Sequence, residues 1–205
     1  MRFIGQIVIA TLATAAFAAT AHAQPVMEDH GIAVAVGGGA AGYTEKGMRD
    51  NTSVSGSWDV TAQFSTRSWL SLEGEYLGTA SSIDSLIGGK NANLVGHAIG
   101  GDVRVNLLPE YFVQPYAFVG AAYRRYDVTG ASFSTSDAGM NDSDNQLEIP
   151  MGLGVAYRDP SGLVADLRGT FRAATDAQLV LTGAGNTDYV PMHNWGAVAR
   201  IGYEF

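Results

Sequence analysis

Residues 147–173 read LEIPMGLGVAYRDPSGLVADLRGTFRA, and their alternation decides the fold. Leu147, Ile149, Met151, Leu153, Val155 and Tyr157 take every second position. Glu148, Pro150, Gly152, Gly154, Ala156 and Arg158 take the other phase. Beyond the short connection 159–162 the pattern resumes, with Leu163, Ala165, Leu167 and Phe171 set against Asp166, Arg168, Thr170 and Arg172. A period of two is the signature of a strand with two unlike faces. One face here is free of charge and the other carries it.

Working outward, the same division recurs along the chain. Trp58, Val60, Ala62 and Phe64 alternate with Asp59, Thr61 and Gln63. Leu70, Leu72, Gly74 and Tyr76 alternate with Ser71, Glu73 and Glu75. Ile99, Gly101, Val103, Val105 and Leu107 face away from Asp102, Arg104 and Asn106. Trp195, Ala197, Ala199, Ile201, Tyr203 and Phe205 face away from Asn194, Arg200 and Glu204. A Gly- and Ala-rich segment takes its phase from Ile32, Val34 and Val36. In another, placing Val113, Pro115, Ala117, Val119, Ala121 and Tyr123 on the uncharged face puts Tyr116 and Phe118 beside Gln114 and Arg124. The predicted strands are 31–42, 55–64, 69–77, 94–107, 112–126, 147–158, 163–173 and 193–205.

A soluble sandwich or lipocalin-like carrier also alternates, with its apolar face turned inward. The connections decide against it. Segments 43–54, 78–93, 127–146 and 174–192 are long, whereas 65–68, 108–111 and 159–162 are short. Short turns on one rim and long loops on the other are the pattern of barrels that cross an outer membrane. Running the chain up and down also sorts the outward aromatics. Trp58, Tyr76, Tyr123, Phe171 and Trp195 fall near the long-loop rim, and Phe64, Tyr157, Tyr203 and Phe205 near the short-turn rim. Amphipathic rings suit the two headgroup zones. The expected fold is all-β, an eight-stranded antiparallel up-and-down transmembrane barrel closed by pairing its first and last strands.

The start of the chain reads as an export signal. Arg2 is followed by an apolar run from Phe3 to Ala19 and by Ala21-His22-Ala23, a small-x-small cleavage pattern. Residues 1–23 are therefore expected to be removed, leaving a barrel domain over 24–205. The chain holds no cysteine, so no disulfide supports the exported domain. Its net charge of −8 argues against nucleic acid as a partner. Its 26 glycines fit strands that bend and pack closely.

The Pro115-Tyr116 start of the fifth strand and the ending Ile201-Gly202-Tyr203-Glu204-Phe205 resemble the OmpA/OmpX-like outer-membrane β-barrel family. The resemblance spans nearly all of 24–205. It implies the barrel fold and an outer-membrane location in a Gram-negative bacterium. It also implies that Trp195, Ile201, Tyr203 and Phe205 form the terminal signal read by the barrel-assembly machinery. It does not extend to the peptidoglycan-binding domain that OmpA carries after its barrel.

The inward charges form the main polar constellation. Asp59, Glu73, Glu75, Asp102, Glu148, Asp166 and Glu204 are set against Arg104, Arg124, Arg168, Arg172 and Arg200, which leaves an expected excess of two carboxylates. Interlocking ion pairs that fill the lumen are favoured over a weakly cation-selective path, because eight strands leave an interior only wide enough for side chains. His97 is the best candidate for a general base. Its phase points outward, however, and it is followed by Ala98, Ile99 and Gly100 rather than by the His-x-Ser-Asn signature of lipid A deacylase barrels. His30 and His193 sit near strand ends. Asn141-Asp142-Ser143-Asp144-Asn145 invites a calcium reading, but no Gly or Glu follows at the spacing of an EF-hand loop. Gly37-Gly38-Gly39 lies within a strand and makes no phosphate loop.

No catalytic residue, cofactor site or metal site is assigned. The expected role is a non-enzymatic protein of the cell envelope, monomeric, in contact with outer-membrane lipids and lipopolysaccharide. Loops 43–54, 78–93, 127–146 and 174–192, with Leu86 and Ile87 among their few apolar residues, would meet surface ligands. The alternatives are a narrow low-conductance pore, a lipid-modifying enzyme and a soluble lipocalin-like carrier.

Overall fold

A computed structural model describes residues 31–50, 52–83, 92–129, 143–174 and 192–205. The expected signal at 1–23, His30, Leu86, Ile87, Asn141 and Asp142 lie outside the described residues. The strands are β1 (Ile32–Tyr43), β2 (Ser55–Phe64), β3 (Leu70–Ile83), β4 (Ala92–Asn106), β5 (Val113–Thr129), β6 (Ser143–Arg158), β7 (Leu163–Ala174) and β8 (Asn194–Glu204). Every strand pairs antiparallel with its neighbours in chain order, and the sheet closes as one barrel. The closing seam runs from Ala33↔Glu204 to Tyr43↔Asn194. Closure leaves no sheet edge, so the ladder groups are paired within the wall and not by water.

The wall is inverted relative to a water-soluble barrel. Ile99, Leu147, Leu153, Leu167 and Ile201 stand exposed on the outside, while Asp102, Arg104, Glu148, Arg168 and Arg200 are buried inside. In β1 Ile32, Val34 and Val36 face outward, and in β5 Tyr116 and Phe118 face inward. Trp69 and Tyr111, from the short connections, add to the exposed aromatics at the short-turn rim.

Tyr116 and Phe118 fit inside because their neighbours on β6 are glycines. Register pairs Tyr116 with Gly154 and Phe118 with Gly152. A Cβ at Gly154 would strike the Tyr116 ring, and one at Gly152 would strike Phe118. Pro115 lacks an amide hydrogen, yet its carbonyl still accepts from the Leu107 amide at 2.9 Å.

The short turns are hydrogen-bonded locally. Gly162 has φ +91°, a left-handed conformation that glycine adopts at no steric cost. The Ser161 hydroxyl and amide donate to the Asp159 carboxylate at 2.5 and 2.8 Å. These bonds, together with one from the Leu163 amide, hold the Asp159 carboxyl below the usual carboxylate range.

At the other rim the expected boundaries need correction. β3 continues to Ile83 rather than ending at 77, and β4 begins at Ala92. β5 runs to Thr129, and β6 begins at Ser143 rather than 147. A helical turn, α1 (Lys46–Arg49), occupies part of the expected loop 43–54. The reason is physical. Outward alternation of apolar residues is imposed by lipid and stops where lipid stops, whereas the ladder continues: Ser82 pairs with Asn93 and Ile83 with Ala92. In these extensions the pattern reverses, so that Ile83 and Ala92 point inward while Ser82 and Asn93 face outward.

Candidate functional site

The interior is layered from the short turns upward. At the bottom, the β2–β3 connection folds Thr66 and Arg67 under the barrel against Glu204 of β8. Arg67 Nη2 lies 2.8 Å from Glu204 Oε2, and the Thr66 hydroxyl donates to the same carboxylate. Arg158 donates to Gln114 Oε1 at 2.9 Å and to Gln63 Oε1 at 2.5 Å, and its Nη1 stands 3.8 Å from Glu204.

The middle layer gathers β2, β3, β4, β7 and β8. Arg200 lies 2.6 Å from Asp59, 3.3 Å from Glu73 and 3.1 Å from Glu75. Arg168 pairs with both Glu73 and Asp102. Arg104 sits 3.7 Å from Glu73 and 3.5 Å from Asp166. The rings of β5 serve this layer too. The Arg104 guanidinium lies 3.4 Å from the centroid of Tyr116, and that of Arg168 lies 3.4 Å from the centroid of Phe118. A cation over a ring face is attracted by its quadrupole, so β5 supplies aromatic faces where other strands supply carboxylates. Tyr116 also donates its hydroxyl to Asp166 at 2.9 Å.

Above this, Arg172 bridges Glu75 at 2.5 Å and Glu148 at 3.8 Å, and Arg124 meets Glu148 at 3.1 Å. Asn194 donates to Glu148 at 3.1 Å. The top layer is apolar. Tyr43, Met48 of α1, Ile83, Ala92, Leu94, Tyr126 and Met192 form one buried cluster across the long-loop end of the lumen.

The expected carboxylate excess is corrected by this inventory. The seven predicted acids are all buried, but Arg67 and Arg158 join the five predicted bases, and the described interior balances seven against seven. Arg158 is in phase with the other inward charges of β6 and was legible from the alternation. Arg67 lies in a turn, where alternation carries no information. Burying charge is costly unless each ion is paired, and the balance meets that demand. A cavity of only about 10 Å³, lined by Glu73, Arg104, Arg158, Asp166 and Arg200 among others, is found in this packing. That is about the room of one water molecule.

His97 lies on the outer wall, half-buried, with Nδ1 2.8 Å from the Tyr76 hydroxyl. His193 Nδ1 accepts from the Ala174 amide at 2.9 Å. Of the acidic loop, Ser143, Asp144 and Asn145 belong to β6 rather than to a loop. Among the described residues no group of three or more acidic or histidine side chains is placed to hold a metal ion.

A charged, ion-paired lumen inside an apolar wall is the arrangement of barrels that sit in lipid, and the family comparison agrees. The model of the outer membrane protein beta-barrel domain matches residues 9–205. The chain belongs to that family. Solved structures share its fold at low identity. Neisserial surface protein A superposes with a TM-score of 0.61 at 14% identity, covering 87% of this chain and 99% of that one. Ail, the attachment invasion locus protein of Yersinia pestis, gives 0.56 at 11% identity, covering 87% and 100%. The outer membrane protein OprG of Pseudomonas aeruginosa gives 0.56 at 12%, covering 87% and 98%. No curated protein matches the chain by sequence. This outer membrane barrel therefore has a fold and a family, and its own role rests on its lumen, wall and rims.

Proposed function

We propose that this outer membrane barrel is a closed, non-enzymatic scaffold that supports the envelope and carries its long connections as contact surfaces. The observation behind this reading is how the lumen is packed among the described residues: an ion-pair lattice under an apolar cluster, with a cavity of about 10 Å³ between lining charges. Structural neighbours include a protein named for attachment and invasion. That name supports an adhesive role for the connections β1–β2, β3–β4, β5–β6 and β7–β8, which correspond to the expected loops 43–54, 78–93, 127–146 and 174–192 and would face outward. In the same reading residues 1–23 direct export, and the barrel is a monomer in contact with outer-membrane lipids and lipopolysaccharide. Trp195, Ile201, Tyr203 and Phe205 all stand exposed on the outer wall, where the assembly machinery would read them.

A narrow pore is the second reading, favoured by the charged lining. Planar-bilayer recording separates the two. A scaffold gives no unitary conductance, and Leu94→Ser, which loosens the cap, leaves it silent. Reproducible wild-type steps that change in Arg104→Ala would replace the scaffold with the pore.

A further inference from the structure

Six of the seven arginines in the described strands point into the lumen: Arg104, Arg124, Arg158, Arg168, Arg172 and Arg200 are all buried. Arg125 points the other way, with its side chain 56% exposed on the lipid-facing wall. Its height is set by register. Trp58 pairs with Gly78, Gly78 with His97, His97 with Arg125 and Arg125 with Asn145, so these residues form one outward row across β2 to β6. The row beneath it toward the short turns is Val60, Tyr76, Ile99, Tyr123 and Leu147. The row above is Gly56, Ala80, Val95, Asp127 and Ser143. Arg125 therefore stands where the apolar wall gives way to polar residues, immediately beyond the aromatics Tyr76 and Tyr123.

The surroundings are braced rather than loose. The Trp58 indole lies across Gly78, where a Cβ would collide with it. Its edge meets the His97 ring at a centroid distance of 6.3 Å, and Tyr76 stacks on the same ring at 6.1 Å. The Tyr76 hydroxyl lies 2.8 Å from His97 Nδ1, which leaves the Nε2 edge of the imidazole outside that contact. Arg125 is held by Asp127 on its own strand, Nε at 3.1 Å and Nη2 at 3.1 Å. A guanidinium has five donors, and one carboxylate does not use them all.

We propose that this row, with Arg125 at its centre and His97 and Asn145 beside it, binds the phosphate of a glycolipid headgroup in the outer leaflet. A planar guanidinium matches phosphate oxygens two at a time. A cation at the headgroup level of an anionic leaflet contributes about 1 kcal/mol, or about a fivefold change in affinity. The chain as a whole is negative, with a net charge of −8, so the attraction is local to this row. The lipid's acyl chains would lie along Ile99, Tyr123 and Leu147, which are exposed directly below. The assignment to the outer leaflet rests on the proposed orientation with long loops outward, whereas phosphate binding itself does not.

The test uses the folded full-length barrel in phosphocholine bicelles, titrated with bisphosphorylated lipid A. The imidazole signals of His97 and the guanidinium Nε–H signal of Arg125 are followed by NMR. Saturable shifts at both are expected. Read at His97, affinity falls about fivefold in Arg125→Gln, falls by less in Arg125→Lys, which keeps the charge but not the two-point geometry, and rises in Asp127→Asn, which frees the guanidinium. Equal binding of dephosphorylated lipid A, or an unchanged affinity in Arg125→Gln, would overturn the site. Equal affinity for phosphatidylglycerol would overturn its assignment to a glycolipid. Protease accessibility of the long loops in intact cells tests the orientation separately.

Discussion

At the short-turn end of the lumen, Arg67 and Arg158 interlock with Glu204, Gln114 and Gln63. At the long-loop end, Tyr43, Met48, Leu94, Tyr126 and Met192 pack against one another. Both ends are filled, but by opposite chemistry. The ionic region is specific and unforgiving: each charge taken from water needs its partner, so losing one member strands the others. The apolar end meets that lattice at Tyr126, whose hydroxyl accepts from Arg124 at 3.3 Å, but at an aliphatic side chain such as Leu94 a truncation costs contact area and a cavity. The difference also follows the surroundings. The charged layers lie within the stretch of wall whose outer face is apolar, so polar side chains there can only point inward. The cap lies where β3, β4, β5 and β6 continue past the aromatic girdle and the faces exchange character.

That contrast can be broken at Glu73, which stands in reach of three guanidiniums: Arg104, Arg168 and Arg200. Glu73→Gln is expected to destabilise the barrel by about 3–5 kcal/mol, read from urea unfolding in lipid vesicles by tryptophan fluorescence. A loss below about 1 kcal/mol, the level of an exposed pair, would show that the lattice does not act as a unit. In the cap, Leu94→Ala is expected to cost about 2–4 kcal/mol by the same measurement, with the charged layers intact. If it instead costs more than Glu73→Gln, the ranking of the two ends is wrong.

The smallest effect belongs to the short-turn rim. Ser161→Ala removes the hydroxyl donor to Asp159, and the carboxyl should move up toward its ordinary range in an NMR titration. Because the folded carboxyl is depressed, its contribution to stability is present above the unfolded value and lost as pH falls through the folded one. That pH dependence should shrink in Ser161→Ala. An unshifted Asp159 would show that the turn's backbone donors suffice.

The alternation of charge and apolar side chains carried most of the fold. Strand count and the outward phase of Leu147 to Tyr157 were legible, because a two-residue period and a lipid environment leave each residue only one of two faces. In β5 the alternation did not compel the inward turn of Tyr116 and Phe118, which the glycines of β6 settle. What was lost lay where that constraint lapses. Arg67 sits in a turn with no period, so its place beneath Glu204 was hidden. The strand extensions to Ile83 and Thr129 were read as loop because their apolar phase reverses above the girdle.

By itself, then, the sequence determined a closed eight-stranded wall with apolar residues outside and charges inside, since local alternation encodes that division residue by residue. Only the tertiary structure decided which charges meet. Arg168 joins Glu73 and Asp102 across the lumen, and Arg125 joins a row with Trp58 and His97 around the wall. Such pairings depend on the register between strands and on the diameter at which the sheet closes, and neither is written in the alternation of any one strand.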